Sequence, residues 1–276
     1  MNASQNSLSP ADAEGSSSLP DVGEAVHYEV RDHIAYLTLN RPEKRNAINR
    51  AMRKEVQSAY LHVKHDPDVW VLVLAAKGKV FCSGKDLFEK VAPEDEDGSV
   101  LTNDEVYKFQ RSIFKPIICV IDGPCLAQGA GFALNSDVVL MSEKGSIGWP
   151  QVKRGISTVS GPTFCAQAIP WVHAMGYLMR GKPIPAGECL RWGLANEVVA
   201  TDQLNEVALR WASEIMESAP LAVRAVKEAA RRGVDMAFEE RMYMARDVAN
   251  SVLQSVDSKE GVAAFREKRP PVWVGR

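Results

Sequence analysis

Apolar and polar residues alternate through His27 to Arg31 and again through Ile34 to Asn40, on either side of Asp32-His33, and this period of two predicts a β-hairpin. The period changes at Arg50. Met52, Val56, Ala59 and Val63 recur at helical spacing, so the stretch from Arg50 to Lys64 reads as a helix with one buried face. Val69 to Ala76 is continuously apolar, as suits a strand covered on both sides, and Val100 to Ile113 reads as the helix that follows. The plan returns with the apolar run Ile117 to Ile121, a helix after Gly129 and a strand from Val138 to Met141. Strands alternating with helices over about 200 residues predict an α/β core with parallel pairing.

From Asp202 onward the helical period stands alone, over Leu204 to Glu217, Leu221 to Arg232, Met236 to Val252 and Lys259 to Glu267. Met242, Ala245, Val248 and Val252 keep an apolar stripe that should pack on the core or on a neighbouring subunit. Three regions follow: residues 1–22, rich in Ser, Ala, Asp, Pro and Gly, as a disordered tail; 23–200 as the α/β core; and 201–276 as a helical region suited to oligomerisation. Within the core, Val91 to Val100 carries Pro93-Glu94-Asp95-Glu96-Asp97-Gly98 and reads as a mobile surface loop.

Charge narrows the partners. The 33 basic and 35 acidic residues nearly cancel, and the isoelectric point is about 6.2, which argues against nucleic acid and against a polybasic membrane surface. No apolar stretch approaches the length of a bilayer span, and the N-terminal residues have neither the apolar core of a secretory signal nor the arginines of a transit peptide. A soluble cytoplasmic protein is expected, acting on a small molecule or with other subunits. Cys82, Cys119, Cys125, Cys165 and Cys189 are odd in number and lie mostly in apolar runs, which favours reduced thiols. No Cys/His spacing suggests a metal site.

Two segments carry the chemistry. Residues 117–137 read as a buried strand, a tight turn through Ala127-Gln128-Gly129-Ala130-Gly131 and a helix start, and Val80-Phe81-Cys82-Ser83-Gly84-Lys85-Asp86-Leu87 repeats the plan after Val69 to Ala76. Each turn aims backbone N–H groups at whatever binds there, and two such turns can converge on one carbonyl oxygen. Together with Asn40-Arg41-Pro42-Glu43-Lys44-Arg45-Asn46-Ala47 and Phe265-Arg266-Glu267-Lys268-Arg269, they make the chain resemble the enoyl-CoA hydratase/isomerase (crotonase) superfamily from about residue 25 onward. The resemblance implies an α/β crotonase-like spiral of strand-strand-helix units, with C-terminal helices that close homotrimers or dimers of trimers. It implies an acyl-CoA thioester as ligand, with coenzyme A arriving as part of the substrate and no tightly bound cofactor. The oxyanion donors would be the backbone N–H groups of Lys85 and Gln128, with Ser83 and Gly84 of the first turn among the substrate-binding residues. Lys44 and Arg45 would lie near the CoA entrance, and Phe265 and Lys268 would reach toward the adenine end, often from a neighbouring subunit.

The chain departs from the family where a hydratase holds its two carboxylates. One should remove a proton from water while the other protonates the substrate α-carbon; the matching positions are Gly131 and Gln151. Glycine has no side chain, and a neutral amide hydrogen-bonds without taking up a proton. The one-glutamate isomerase scheme is lost with Gln151. The position of the aspartate nucleophile of the dehalogenase branch falls in Gly155-Ile156-Ser157-Thr158-Val159-Ser160-Gly161, which has no carboxylate. Ser157, Thr158 and Ser160 have no histidine nearby in sequence and read first as turn and capping residues.

Elsewhere, Glu89 follows the first turn by one helical turn, and Tyr243 lies on the stretch from which some family members recruit a phenol. A solvated helix face is the commoner fate of the first, and core or interface packing of the second, as it is for His173. Asp137 reads as structural. Trp149 either shapes an acyl pocket or packs in the core. The favoured reading is an acyl-CoA enzyme performing C–C cleavage, isomerisation or thioester hydrolysis with an unusual acid/base. The alternatives are a non-catalytic acyl-CoA-binding homologue and a weak hydratase acting through Gln151 and ordered water.

Overall fold

The computed structural model describes residues 22–89 and 98–276. Nearly all of the proposed tail and most of the acidic loop lie outside the described residues. Strands β1 (Val26–Arg31) and β2 (Ile34–Leu39) form the expected hairpin, closed by Asp32 and His33 at φ of 50° and 65°. Positive φ at both central residues matches the turn twist to that of the strands. Helix α1 (Arg50–His65) starts under an Asn49 cap that accepts from the Met52 N–H, and buries Met52, Val56, Ala59 and Val63 as expected. Strand β3 (Val71–Ala76), helix α2 (Asn103–Arg111) and strand β4 (Ile117–Ile121) follow.

Strand β5 (Pro124–Leu126), helix α3 (Gln128–Asn135), strands β6 (Val138–Ser142) and β7 (Ser146–Gly148), and helices α4 (Ala166–Ala168) and α5 (Trp171–Leu178) lead to strand β8 (Ile184–Pro185). Helix α6 (Ala186–Arg191), strand β9 (Glu197–Val199) and helices α7 (Leu204–Met216), α8 (Pro220–Arg232), α9 (Phe238–Val252) and α10 (Val256–Glu267) complete the described chain.

The main sheet runs β1-β2-β3-β4-β6-β9, antiparallel only at the hairpin. Its registers place Ile34 beside Val71, Leu72 beside Ile117 and Ile118 beside Val138. Successive residues face opposite sides. Leu72, Leu74, Ile117 and Cys119 therefore join α1 in one core, while Val71, Val73, Ile118 and Val120 pack with Leu204, Ala208 and Ala212 of α7 in a second. That two-sided burial is the reason these strands read as unbroken apolar runs. It also places α7, beyond the expected boundary at residue 200, in the layer that covers the sheet.

A smaller sheet, β5-β7-β8, was not foreseen, because strands of two or three residues carry no readable period. The chain passes from β4 into β5 through Gly123 at φ 92°, where a Cβ would stand 2.2 Å from the Lys79 carbonyl oxygen. Helices α8 and α9 pack on each other, and among its described residues α9 buries none fully. Among the described residues, no helix is long and apolar enough to cross a membrane.

Candidate active site

Backbone pairing draws the two glycine turns together. Cys82 and Cys125 form a parallel bridge, with the Phe81 N–H donating to the Pro124 carbonyl (3.0 Å) and the Leu126 N–H to the Cys82 carbonyl (2.8 Å). On the other side, the Ile48 N–H donates to the Gly84 carbonyl (2.8 Å) and the Asp86 N–H to the Ile48 carbonyl (2.9 Å). These bonds engage residues 84 and 86 on the side of Ile48, so the N–H of Lys85, between them, points the opposite way. Gln128 is the first residue of α3, where N–H groups have no intrahelical acceptor. Neither the Lys85 nor the Gln128 N–H finds an acceptor among the described residues.

Gly84 permits the final approach. At φ 101°, a Cβ on it would lie 2.6 Å from the Ala127 Cβ and 3.8 Å from the Gln128 nitrogen. Gln128 itself is helical, and the backbone angle that favours glycine falls one residue earlier, at Ala127 (φ 55°, ψ −108°). An alanine there costs about 1–3 kcal/mol. The surroundings hold it in place: its N–H donates to the Gly148 carbonyl (2.8 Å), and its carbonyl accepts from the Ser160 hydroxyl (3.1 Å).

The turns open onto a cleft of about 230 Å³ whose wall includes Ser83, Lys85, Tyr107, Gln128, Gln151 and Ser160. A Cβ on Gly131 would meet the Cζ of Tyr107 at 2.4 Å and its Oη at 2.5 Å, so a phenol fills the space into which a side chain at 131 would grow. Tyr107 donates to the Gln128 carbonyl (3.2 Å) and meets Phe132 and Phe164 edge to face. Burial pushes its hydroxyl well above the usual phenol range, which keeps it neutral and a hydrogen-bond donor. Gln151 lines the cleft, and its Oε1 has no hydrogen-bond partner among the described residues. Among the described residues, Asp104 is the one carboxylate on the cleft wall, exposed in the first turn of α2. Cys82 lies close by, but burial pushes its thiol up to about 12, so it is no ready nucleophile.

Several candidates lie elsewhere. Trp149 is 1% exposed, and its indole N–H donates to Ser160 (2.9 Å); it is a core residue behind the cleft, not part of the acyl wall. Glu89 accepts the Arg50 N–H (2.6 Å) and so serves the start of α1. His173 packs against the Trp192 ring at 3.6 Å. Asp137 accepts the Ile117 N–H (2.8 Å) and pairs with Lys227 and Arg231, a structural arrangement. Tyr243 is 62% exposed on α9, Phe265 is 86% exposed near the end of α10, and Lys268 ends that helix at φ 54°. None of these three lines the cleft of its own chain. Lys44 and Arg45 are exposed beside the first turn, where the Arg45 carbonyl accepts the Ser83 N–H (3.0 Å). Asn46 fastens the same box by donating to the carbonyls of Lys77 and Val80, each at 2.8 Å.

Asn103, Asp104, Tyr107 and Arg154 also line the cleft, and sequence reading passed over them. The period of α2 was legible, but which turn of it meets α3 is decided by packing between distant segments.

Fold and turns together make an α/β protein in which Lys85 and Gln128, whose N–H groups find no acceptor among the described residues, line one cleft. Residues 29–276 match the enoyl-CoA hydratase/isomerase family, and the chain belongs to that family. It is 34% identical over 253 residues to (E)-benzylidenesuccinyl-CoA hydratase of Thauera aromatica, covering 91% of this chain and 99% of that protein. Mevalonyl-coenzyme A hydratase sidH of Aspergillus fumigatus is 35% identical over 249 residues, with 87% and 91% covered. The crystal structure of an enoyl-CoA hydratase/isomerase from Mycobacterium paratuberculosis superposes with a TM-score of 0.83 at 31% identity, covering 91% of this chain and 99% of that one. The crotonase-like α/β architecture is thereby that of this chain.

Proposed function

We propose that this protein is an acyl-CoA enzyme that holds the oxygen of a thioester enolate between the N–H groups of Lys85 and Gln128, and that it does not use two-glutamate hydration. The observation that carries the reading is the contact of Gly84 with Ala127, which brings two unengaged N–H groups to the head of one cleft. Backbone donors fixed before the reaction stabilise charge that develops on the oxygen without having to reorganise. The names of the relatives, hydratases of CoA thioesters, support the substrate class.

Proton movement must follow another route than the family pair. Gly131 and Gln151 carry no acid, Tyr107 is a neutral donor, and Asp104 is the carboxylate nearest to hand. C–C cleavage, isomerisation and thioester hydrolysis each pass through an enolate or a tetrahedral oxyanion, and this donor pair serves all three. Coenzyme A enters as part of the substrate, with Lys44 and Arg45 near its entrance. Phe265 and Lys268 act on a neighbouring subunit's ligand in a trimer or a dimer of trimers, located in the cytoplasm. The exposed Met242 on α9, 49% accessible, suits such an assembly.

A thermal-shift series with free CoA and several acyl-CoAs, followed by mass spectrometry of the incubated thioesters, tests the reading. Acyl-CoAs should stabilise the protein more than CoA does, and at least one should change mass. Stabilisation with every thioester left intact would favour the second reading, a binding protein, for which the phenol packed against Gly131 is the supporting observation.

A further inference from the structure

Residues 270–276 double back along α10. Lys268 leaves the helix in the left-handed region, and Pro270 and Pro271 cannot continue it. The Arg269 guanidinium then pairs with both carboxylate oxygens of Glu260, whose Oε1 also accepts the Val272 N–H (2.8 Å). One turn earlier on the same face, Asp257 accepts the Val274 N–H on Oδ1 (2.8 Å) and the Gly275 N–H on Oδ2 (2.9 Å). The Arg276 carbonyl takes the N–H groups of Val256 (2.8 Å) and Asp257 (3.2 Å), which stand at the helix start and have no acceptor within it. The same segment is fastened to the core. The Trp273 indole N–H donates to the Glu217 carbonyl just beyond α7 (2.9 Å), and a Cβ on Gly275 would stand 3.1 Å from the Trp70 indole nitrogen.

Within α10 only Asp257 and Ala264 are buried, while Val256, Val262 and Phe265 are exposed. The returning segment, and not an apolar face, therefore fixes where this helix lies. We propose that residues 270–276 are a strap that sets the position of the end of α10, and that Asp257, beneath the strap, is a positioning residue for ligand binding at Lys268. This rests on the acyl-CoA reading above, in which Phe265 and Lys268 act on a neighbouring subunit's ligand. Asp257 touches no ligand. It is 1% exposed, and its carboxylate is engaged by two backbone N–H groups of the strap, one on each oxygen. Lys268 lies one residue before the Arg269 that the strap ties back to Glu260, so a loosened strap lets its ammonium wander from a phosphate.

Equilibrium binding of butyryl-CoA and of butyryl-pantetheine, which lacks the nucleotide, tests the strap on the full chain. Asp257→Asn keeps the volume but offers one acceptor where two N–H groups donate. Trp273→Phe keeps the ring against α10 and removes the bond to Glu217, so it loosens the strap from its other side. Each should weaken butyryl-CoA binding at least about tenfold, the worth of one hydrogen bond to a charged group, and leave butyryl-pantetheine binding and the oligomeric mass unchanged. Equal losses for both thioesters, or a fall in mass by light scattering, would overturn the proposal and make the strap a folding element only. A loss in Lys268→Ala with none in either strap variant would overturn it as well. Wild-type protein that binds the two thioesters equally, or a Lys268→Ala variant that binds butyryl-CoA normally, would instead defeat the placing of the nucleotide at α10 on which the strap's role rests.

Discussion

Tyr107 and Gly131 share one space: a Cβ on the glycine would lie 2.4 Å from the Cζ of the tyrosine ring. On the resemblance, a side chain at 131 would be the family's first acid. Its room is occupied by a neutral phenol that also binds the Gln128 carbonyl, so the change at 131 and the residue at 107 belong together.

Gly131→Glu should consequently destabilise the protein by about 1–3 kcal/mol through overpacking. Tyr107→Ala alone should cost about 3–5 kcal/mol by leaving a cavity. Joined in one chain, the two changes should be less harmful than their sum by at least about 1 kcal/mol, because each relieves the other. Urea denaturation measures all three variants, and strict additivity would show that the residues do not compete for space.

Crotonyl-CoA hydration should run at least about 10³-fold slower than in a two-glutamate enzyme, since a positioned acid or base contributes roughly 10² to 10⁴. The spectrophotometric hydration assay decides this. A rate near that of an ordinary hydratase would mean that other groups carry the protons.

Ala127→Gly should raise stability by about 1 kcal/mol. The relief of a side chain held at φ 55° outweighs the extra chain entropy of glycine. Ala127→Val should have the opposite sign, and the melting temperatures of the pair check the ordering.

Stability should fall above pH 9. Burial raises all five thiols from an ordinary value of 9.0, Cys165 to about 11, Cys82 and Cys189 to about 12, Cys119 further, and Cys125 well above 9.0. The unfolded chain then loses these protons while the native chain keeps them, so their contribution is complete below pH 9 and lost as pH climbs through the native values. Lys115 and Lys227 oppose this: burial lowers both from 10.5 to about 8, which adds stability as pH rises between those values. Five groups outweigh two, each worth about 1.4 kcal/mol per pH unit while it titrates. Urea midpoints recorded from pH 8 to 11 should show the decline, and a flat profile would contradict it.

Lys268→Ala should weaken acyl-CoA binding and leave the oligomeric mass unchanged, because the residue lies at the exposed end of α10 and outside its own chain's cleft. Light scattering and binding measured on the same sample separate the two effects. A monomeric wild-type protein would remove the neighbouring ligand that this prediction requires.

The hairpin, α1 and the parallel strands were legible because their burial repeats with a local period, as Met52, Val56, Ala59 and Val63 show. The paired turns were legible because glycine patterns mark places where backbone must approach backbone, as Gly84 does Ala127. What remained hidden depends on contacts between segments far apart in the chain. Tyr107 against Gly131 is one such contact, Glu89 on the first N–H of α1 another, and the seat of Trp149 behind Ser160 a third. A local pattern states which face of an element is apolar, but not what that face will meet.

The bridge between Cys82 and Cys125 gives the two turns a built-in clock. A Cβ on Gly129 would stand 3.1 Å from one sulfur and 3.5 Å from the other, so both thiols lie directly under the helix start that carries the Gln128 N–H. Both are fully buried, and an alkylating reagent reaches them only when the packing beneath the two turns opens. Their labelling rate, read peptide by peptide, therefore times the breathing of the paired turns without any engineered probe, and a ligand bound in the cleft should slow it.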